Sequence, residues 1–299
     1  MDKIKFIMDS SGGISKEDAE RLNIEVVPTG IIIDGKLHKD GVDIDSTEFL
    51  AYLRTCKTVP STSAVNPEEW YEVLKKYVIS QEFTHIVVST LASTVSGGHN
   101  NAVSARERLK EEFPEKFEKL TIYIYDSGNS TIALGYSMKF ASQLHIDGAN
   151  YPEIETFLKD WYNSVEVYFA AFSFDLPRLS GRINSSSAYI GARLKLRPIM
   201  KVCDGKFTLI NKVRGDIKVA THFLEIAQER MRENSPYFFM SGDHPTIAQT
   251  TIDLFEEAIG YPSSGLEVAG PSMTLNGGPD MFCVCFLSKN RNSYPDNPR

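Results

Sequence analysis

Four times in its first half the chain runs an apolar segment straight into a loop of small hydroxyl and glycine residues. The runs are IKFIMDSSGG (Ile4–Gly13), CKTVPSTSAV (Cys56–Val65), HIVVSTLASTVSGG (His85–Gly98) and TIYIYDSGNS (Thr121–Ser130). Three of them lead into a helical pattern. In an open α/β sheet the carboxyl ends of successive strands converge on one crevice, where ligands bind. Such a crevice offers hydroxyls, helix N-termini and glycines that allow close approach, which together bind an anion without a cationic side chain. A weakly charged anion such as a carboxylate suits it. Each loop alone also reads as a helix cap or turn, which Ser, Thr, Asp and Gly favour. Four in order bring the crevice reading level with that one.

The chain has 299 residues, 42% of them hydrophobic, enough for two domains or one large one with a real core. The net charge of −7 argues against broad nucleic-acid binding, which needs a basic footprint. The N-terminal apolar run is short and contains Asp9, unlike a signal peptide, and no segment approaches the ~18 apolar residues of a membrane span. We therefore expect a soluble cytoplasmic protein without stable membrane insertion. Cys56, Cys203, Cys283 and Cys285 are scattered. The Cys283-x-Cys285 spacing in an apolar strand suits packing better than metal ligation, so free thiols and no metal are expected.

Strand and helix alternate through the first half, implying a mainly parallel sheet flanked by helices. Strands are expected at Lys3–Met8, Glu25–Ile33, His85–Ser89 and Thr121–Tyr125, with a tight turn at Asp34-Gly35. Helices are expected from about Ser15 and at Ser46–Thr55, Pro67–Ser80, Asn100–Glu112 and Thr131–Leu144. The pattern breaks near Asp147–Pro152 before a helix at Glu153–Ser164. The second half reads as an α+β domain with a mixed or antiparallel sheet, its clearest signal a hairpin at Asp204-Gly205 between Pro198–Cys203 and Lys206–Lys212. A helix is expected at Ser186–Lys195. The domain bounds are 1–160 and 161–289, followed by a polar tail at 290–299.

Several short motifs then occur in one order: Asp9-Ser10-Ser11, VVPTGIIIDG followed by HKDGVDI, Ser61-Thr62-Ser63, Ser96-Gly97, Asp126-Ser127, LSGRI (Leu179–Ile183), LRPI (Leu196–Ile199) and KVRG (Lys212–Gly215). In this set and order the chain resembles the DegV family over almost its whole length. The resemblance implies a two-domain α/β carrier that buries one long-chain fatty acid, palmitate- or oleate-like, with no other cofactor. It also implies presentation of the ligand carboxylate to a bacterial fatty acid kinase for acyl-phosphate formation. Thr62 and Ser96 match the family positions that hold the carboxylate. Ser63 and Ser93 stand beside them, and Gly97 offers its backbone N–H. One departure stands out: where the family commonly carries a histidine in a GTHTGPG-like loop, this chain reads TLNGGPD, with Asn276 in the histidine's place. An amide donates a hydrogen bond but cannot become cationic.

Arg178, Arg182, Arg193, Arg197 and Arg214 form an unusual cluster for an acidic chain. Exposed cations are common, so most read as solvated or ion-paired. The resemblance singles out Arg182 and Arg214 as contacts for the kinase. His38, His85, His99, His145, His222 and His244 show no HExxH spacing, and neither GxSxG nor a GxxxxGK[ST] loop is present. His99 lies near Ser96, so the alternative is a small-anion phosphotransferase or hydrolase at the same crevice. An apolar tunnel opposite Thr62 and Ser96 favours the carrier, and a polar pocket with His99 facing Ser96 favours the enzyme. We expect a non-enzymatic monomer.

Overall fold

The computed structural model describes residues 2–129, 131–172, 196–203 and 205–289. The first sheet has the order β2-β1-β6-β7, all parallel, from β1 (Ile4–Asp9), β2 (Ile24–Val27), β6 (His85–Thr90) and β7 (Thr121–Asp126). Its strands are apolar on both faces, as a sheet covered by helices on both sides requires. Ile7, Ile86, Val88 and Ile124 pack with Trp70, Leu74, Ala102 and Leu109 of the helices Pro67–Ser80 and Gly98–Glu112. Phe6, Met8 and Val87 face the opposite way, onto the helix Ile132–Ile146.

The second sheet has the order β10-β9-β8-β13-β11-β12, formed by β8 (Val165–Ala170), β9 (Leu196–Cys203), β10 (Lys206–Arg214), β11 (Tyr237–Ser241), β12 (Leu266–Val268) and β13 (Phe282–Leu287). Pairing is antiparallel except between β11 and β12, so the sheet is mixed. Its two faces divide by strand alternation. Phe169, Met200, Phe238, Met240, Cys283 and Cys285 join the core around the Ile132–Ile146 helix. Tyr168, Ile199, Phe239, Val284 and Phe286 pack under the helices Ile217–Arg230 and Pro245–Ile259. That one helix is thus buried between the two sheets. Cys283 and Cys285 are buried free thiols, and Cys56 is half-buried and free.

Two expectations need correction. The segment Glu25–Ile33 is two strands, not one. Pro28 carries no N–H for a sheet ladder, and the chain turns there from β2 into β3 (Gly30–Ile33) of a third sheet. This small antiparallel sheet has the order β4-β3-β5, with β4 (Lys36–Lys39) across the Asp34-Gly35 turn and β5 (Ser61–Ser63) on the other side. The segment TLNGGPD is also not simply a loop: Pro271–Gly277 is helical, with Pro271 in its first turn and Gly278 ending it. Leu275 of that helix packs with Ile31, Ile44 and Phe49, fixing the helix to the small sheet.

The expected hairpin is present as the antiparallel β9–β10 pair, with Lys206 opposite Cys203, and the helix at Pro67–Ser80 has the expected bounds. The expected helix Ser186–Lys195 and the tail lie outside the described residues. Among the described residues no helix is long and apolar enough to cross a membrane.

Candidate functional site

Two of the four hydroxyl loops meet at one cavity of about 160 Å³. The first arrives on β5, a strand made of the hydroxyl residues themselves, where Thr62 pairs with Ile31. The second is the Leu91–Gly97 turn between β6 and the Gly98–Glu112 helix. Asn101 on that helix donates Nδ2–H to the Val65 carbonyl at 2.8 Å, locking the two loops together. Thr62, Ser63, Ser96 and Gly97 all line the cavity. The Ser96 Oγ accepts the Gly98 N–H at 3.2 Å, which leaves its own proton to donate. The sequence allowed either an N-cap or a ligand contact for Ser96; the N-cap of the helix is Gly97, without a side-chain cap bond, and Ser96 stands one residue ahead of it.

The opposite wall comes from the second half of the chain. Ser272, Met273 and Asn276 reach the cavity from the Pro271–Gly277 helix, and Gly205 and Phe207 from the β9–β10 hairpin. Gly205 has φ +67°, and a Cβ there would lie 2.8 Å from both Thr94 Oγ1 and Val95 Cγ1. Only glycine lets this hairpin rest on the hydroxyl loop without strain. Asn276 donates Nδ2–H to the Ser272 carbonyl at 2.8 Å, and its Oδ1 is buried without a partner among the described residues.

The remaining two loops stand behind the cavity. Asp126, at the end of β7, accepts N–H groups from Ser93 at 3.1 Å and Gly128 at 3.0 Å, so it buttresses the Leu91–Gly97 turn. Ser93 belongs to that turn but does not line the cavity. Asp9, at the end of β1, is buried and accepts the Leu91 N–H at 2.8 Å together with the backbone and hydroxyl donors of Ser11. Burial pushes its carboxyl above the usual carboxylate range, against those donors.

None of the described lining residues is charged. His99 is buried with Nδ1 3.2 Å from Thr90 Oγ1 and is not among the described residues that line the cavity. Arg197 is committed to Asp216 at 2.7 Å and to the Phe172 carbonyl at 2.8 Å. Arg214 is exposed at the end of β10, and Arg178, Arg182 and Arg193 lie outside the described residues. The sequence reading missed Thr29, Leu91, Phe207, Ser272 and Met273 as cavity residues. Two had a signal, Thr29 inside the VVPTG motif and Leu91 inside the His85–Gly98 run.

The fold and the site define a class: an α/β protein whose parallel and mixed sheets share one buried helix, with a hydroxyl-lined cavity beyond the carboxyl end of a parallel strand. The DegV family model matches residues 3–289, and the chain belongs to that family. A DegV domain-containing protein of Caldanaerobacter subterraneus is 29% identical over 296 residues, covering 97% of this chain and all of that one. Among solved structures, a stearic acid-binding protein from Eubacterium ventriosum superposes with a TM-score of 0.84 at 22% identity, covering 97% of this chain and 99% of that one. A DegV family protein from Eubacterium eligens loaded with heptadecanoic acid gives 0.83 at 19% identity, covering 96% and 100%.

Proposed function

We propose that this protein binds one long-chain fatty acid, with the carboxylate held in the hydroxyl-lined cavity and the acyl chain buried in the adjoining core. The observation that carries this reading is the cavity's composition: Thr62, Ser63 and Ser96 on one side, Phe207 and Met273 on the other, with no charged lining residue described. A carboxylate needs only two or three well-directed donors. Thr62 and Ser96 are the main ones in this reading, helped by Ser63, the Gly97 N–H and the Asn276 amide. Ser93 acts indirectly by holding the turn.

A cavity of about 160 Å³ is close to the ~150 Å³ that accommodates a benzene-sized group, so it suits a head group and its first methylenes. The rest of the chain must part the core. That core favours it, because the Phe207 ring lies tilted against Phe169 with centroids 5.4 Å apart, and the surrounding cluster contains Met8, Met138, Met200, Met240, Met273 and Met281. Methionine is unbranched and adapts to irregular neighbours. Burial contributes ~0.8 kcal/mol per methylene, so a palmitate-like tail supplies most of the affinity.

In the same reading the protein is a cytoplasmic carrier and not an enzyme. The first domain supplies the head-group loops, the second covers the tail, and the division falls within the Tyr151–Ser164 helix. The carboxylate is presented to a fatty acid kinase, with Arg182 and Arg214 as docking contacts. Organic extraction of the purified protein and mass spectrometry test the binding step. A stoichiometric long-chain fatty acid supports it; no fatty acid in the extract and no melting-temperature rise with added oleate refute it.

A further inference from the structure

Behind the cavity wall sits a second buried carboxylate, Asp40, only 5% exposed. It joins three segments that are distant in sequence. Its Oδ2 accepts the Ser10 hydroxyl at 3.0 Å and the Thr29 hydroxyl at 3.2 Å, and its carboxylate also accepts the Ser272 backbone N–H. Ser10 in turn accepts the Thr29 N–H at 3.0 Å. Thr29 and Ser272 line the head-group cavity, while Ser10 and Asp40 line a separate outer groove. Asp40 is therefore the septum between the two.

The cavity brings an anion up to this septum without a described cation to balance it. Charged groups around Asp40 are mostly acidic. Asp9 stands at the end of β1, and Asp43 and Asp45 follow Asp40 in the chain, Asp43 accepting the Lys39 N–H at 2.8 Å. Across the groove lie Glu25 on β2, Glu267 on β12, and Glu20 and Lys16 on the helix Lys16–Arg21; Glu267 is paired with Lys139 at 2.9 Å. Of the two buried carboxylates, Asp9 is held by two fixed backbone donors, from Ser11 and Leu91. Two of the three donors to Asp40 are hydroxyls, which can rotate and accept instead. Asp40 can thus gain a proton without breaking the wall.

We propose that Asp40 balances the charge of the head-group cavity, so that a carboxylate ligand enters together with a proton taken up on Asp40. The inference rests on the fatty-acid reading of the cavity. Burial lifts the Asp40 carboxyl to about 6 despite its three donors, and Asp9 adds to the rise. The free protein is then mostly ionised at this position at neutral pH, and a nearby anion raises the carboxyl further.

Oleate binding, measured by titration calorimetry at pH 7 in two buffers of unlike ionisation enthalpy and by affinity between pH 6 and 8, tests this. The wild-type protein takes up a fraction of a proton per oleate and, for a coupling of about one pKa unit, binds about five-fold tighter at pH 6 than at pH 8. Asp40→Asn abolishes that uptake, flattens the profile and binds at pH 8 at least as tightly as the wild type. A flat wild-type profile without proton uptake overturns the inference whether or not the variant folds, as does a variant that keeps the wild-type uptake. Oleate binding without proton uptake leaves the fatty-acid reading standing, whereas no oleate binding overturns both.

Discussion

At the residue scale, the fatty-acid reading separates side chains that would touch a ligand from those that aim the cavity's donors. Asn276 is the informative case, because one amide hydrogen is already used on the Ser272 carbonyl and its Oδ1 is buried without a described partner. An unsatisfied buried acceptor costs stability, on the order of 1–3 kcal/mol. Asn276→Leu removes that acceptor together with any amide donation to the ligand. We expect chemical denaturation to show unchanged or higher stability, and oleate affinity to fall by about ten- to a hundred-fold, the loss of one hydrogen bond to a carboxylate. Unaltered oleate affinity would place Asn276 outside the head-group contacts. The hydroxyl loops were legible in the sequence because four follow apolar segments in order, although each alone also reads as a cap or turn. Asp40 was legible only as part of a motif. What buries it are Ser10, Thr29 and Ser272, and no local pattern announces that these meet.

At the element scale, the β9–β10 hairpin and the Pro271–Gly277 helix bring the second half of the chain to the first half's loops. The hairpin was legible from Asp204-Gly205, since that dipeptide favours a two-residue turn. The helix was not, because Gly277-Gly278-Pro279 reads as a turn and hides the helical residues before it. Strand β5 was hidden for a related reason: three consecutive hydroxyl residues show no apolar alternation, and only pairing with β3 makes them a strand. Gly205→Ala tests the hairpin's placement. Its positive φ costs an L-residue about 1–2 kcal/mol, and the added Cβ crowds Val95. Thermal unfolding should show that loss of stability, together with weaker oleate binding. A variant with wild-type stability and affinity would mean that the hairpin does not press on the loop.

A second element-scale prediction concerns Glu166 on β8, which is fully buried. It accepts Arg230 Nε and Nη2 at 2.8 and 2.6 Å, Lys201 Nζ at 2.7 Å and Tyr168 Oη at 2.7 Å, tying β9 and the Ile217–Arg230 helix to the strand. Desolvation alone would raise its carboxyl. The hydrogen bonds from Arg230, Lys201 and Tyr168 outweigh it and bring the value from 4.5 down to about 2. A depressed folded-state value stabilises the protein above the unfolded value, and that contribution is lost as pH falls from about 4.5 towards 2. The shift corresponds to about 3 kcal/mol. Glu166→Gln should lower the melting temperature at pH 7 and flatten its acid limb between those pH values. An acid limb identical to the wild type's would exclude this network as its source.

At the scale of the whole molecule, two sheets share one buried helix, and the hydroxyl-lined cavity lies where their loops meet. Layers and strand alternation were readable from apolar periodicity, which burial enforces directly. The meeting point was readable only in part, because it depends on contacts between segments far apart in the chain. The central claim is that this meeting point holds a fatty-acid carboxylate through uncharged donors. Oleate affinity of the wild type and of the Thr62→Ala, Ser96→Ala double variant, compared with oleyl alcohol as a neutral ligand of the same chain, tests it most directly. Each lost charge-assisted hydrogen bond is worth roughly 1.5–3 kcal/mol, or about ten- to a hundred-fold. The account predicts that the double variant keeps its fold and loses at least about a hundred-fold in oleate affinity, with a much smaller change for the alcohol. Equal oleate affinity in the wild type and the folded double variant would contradict it.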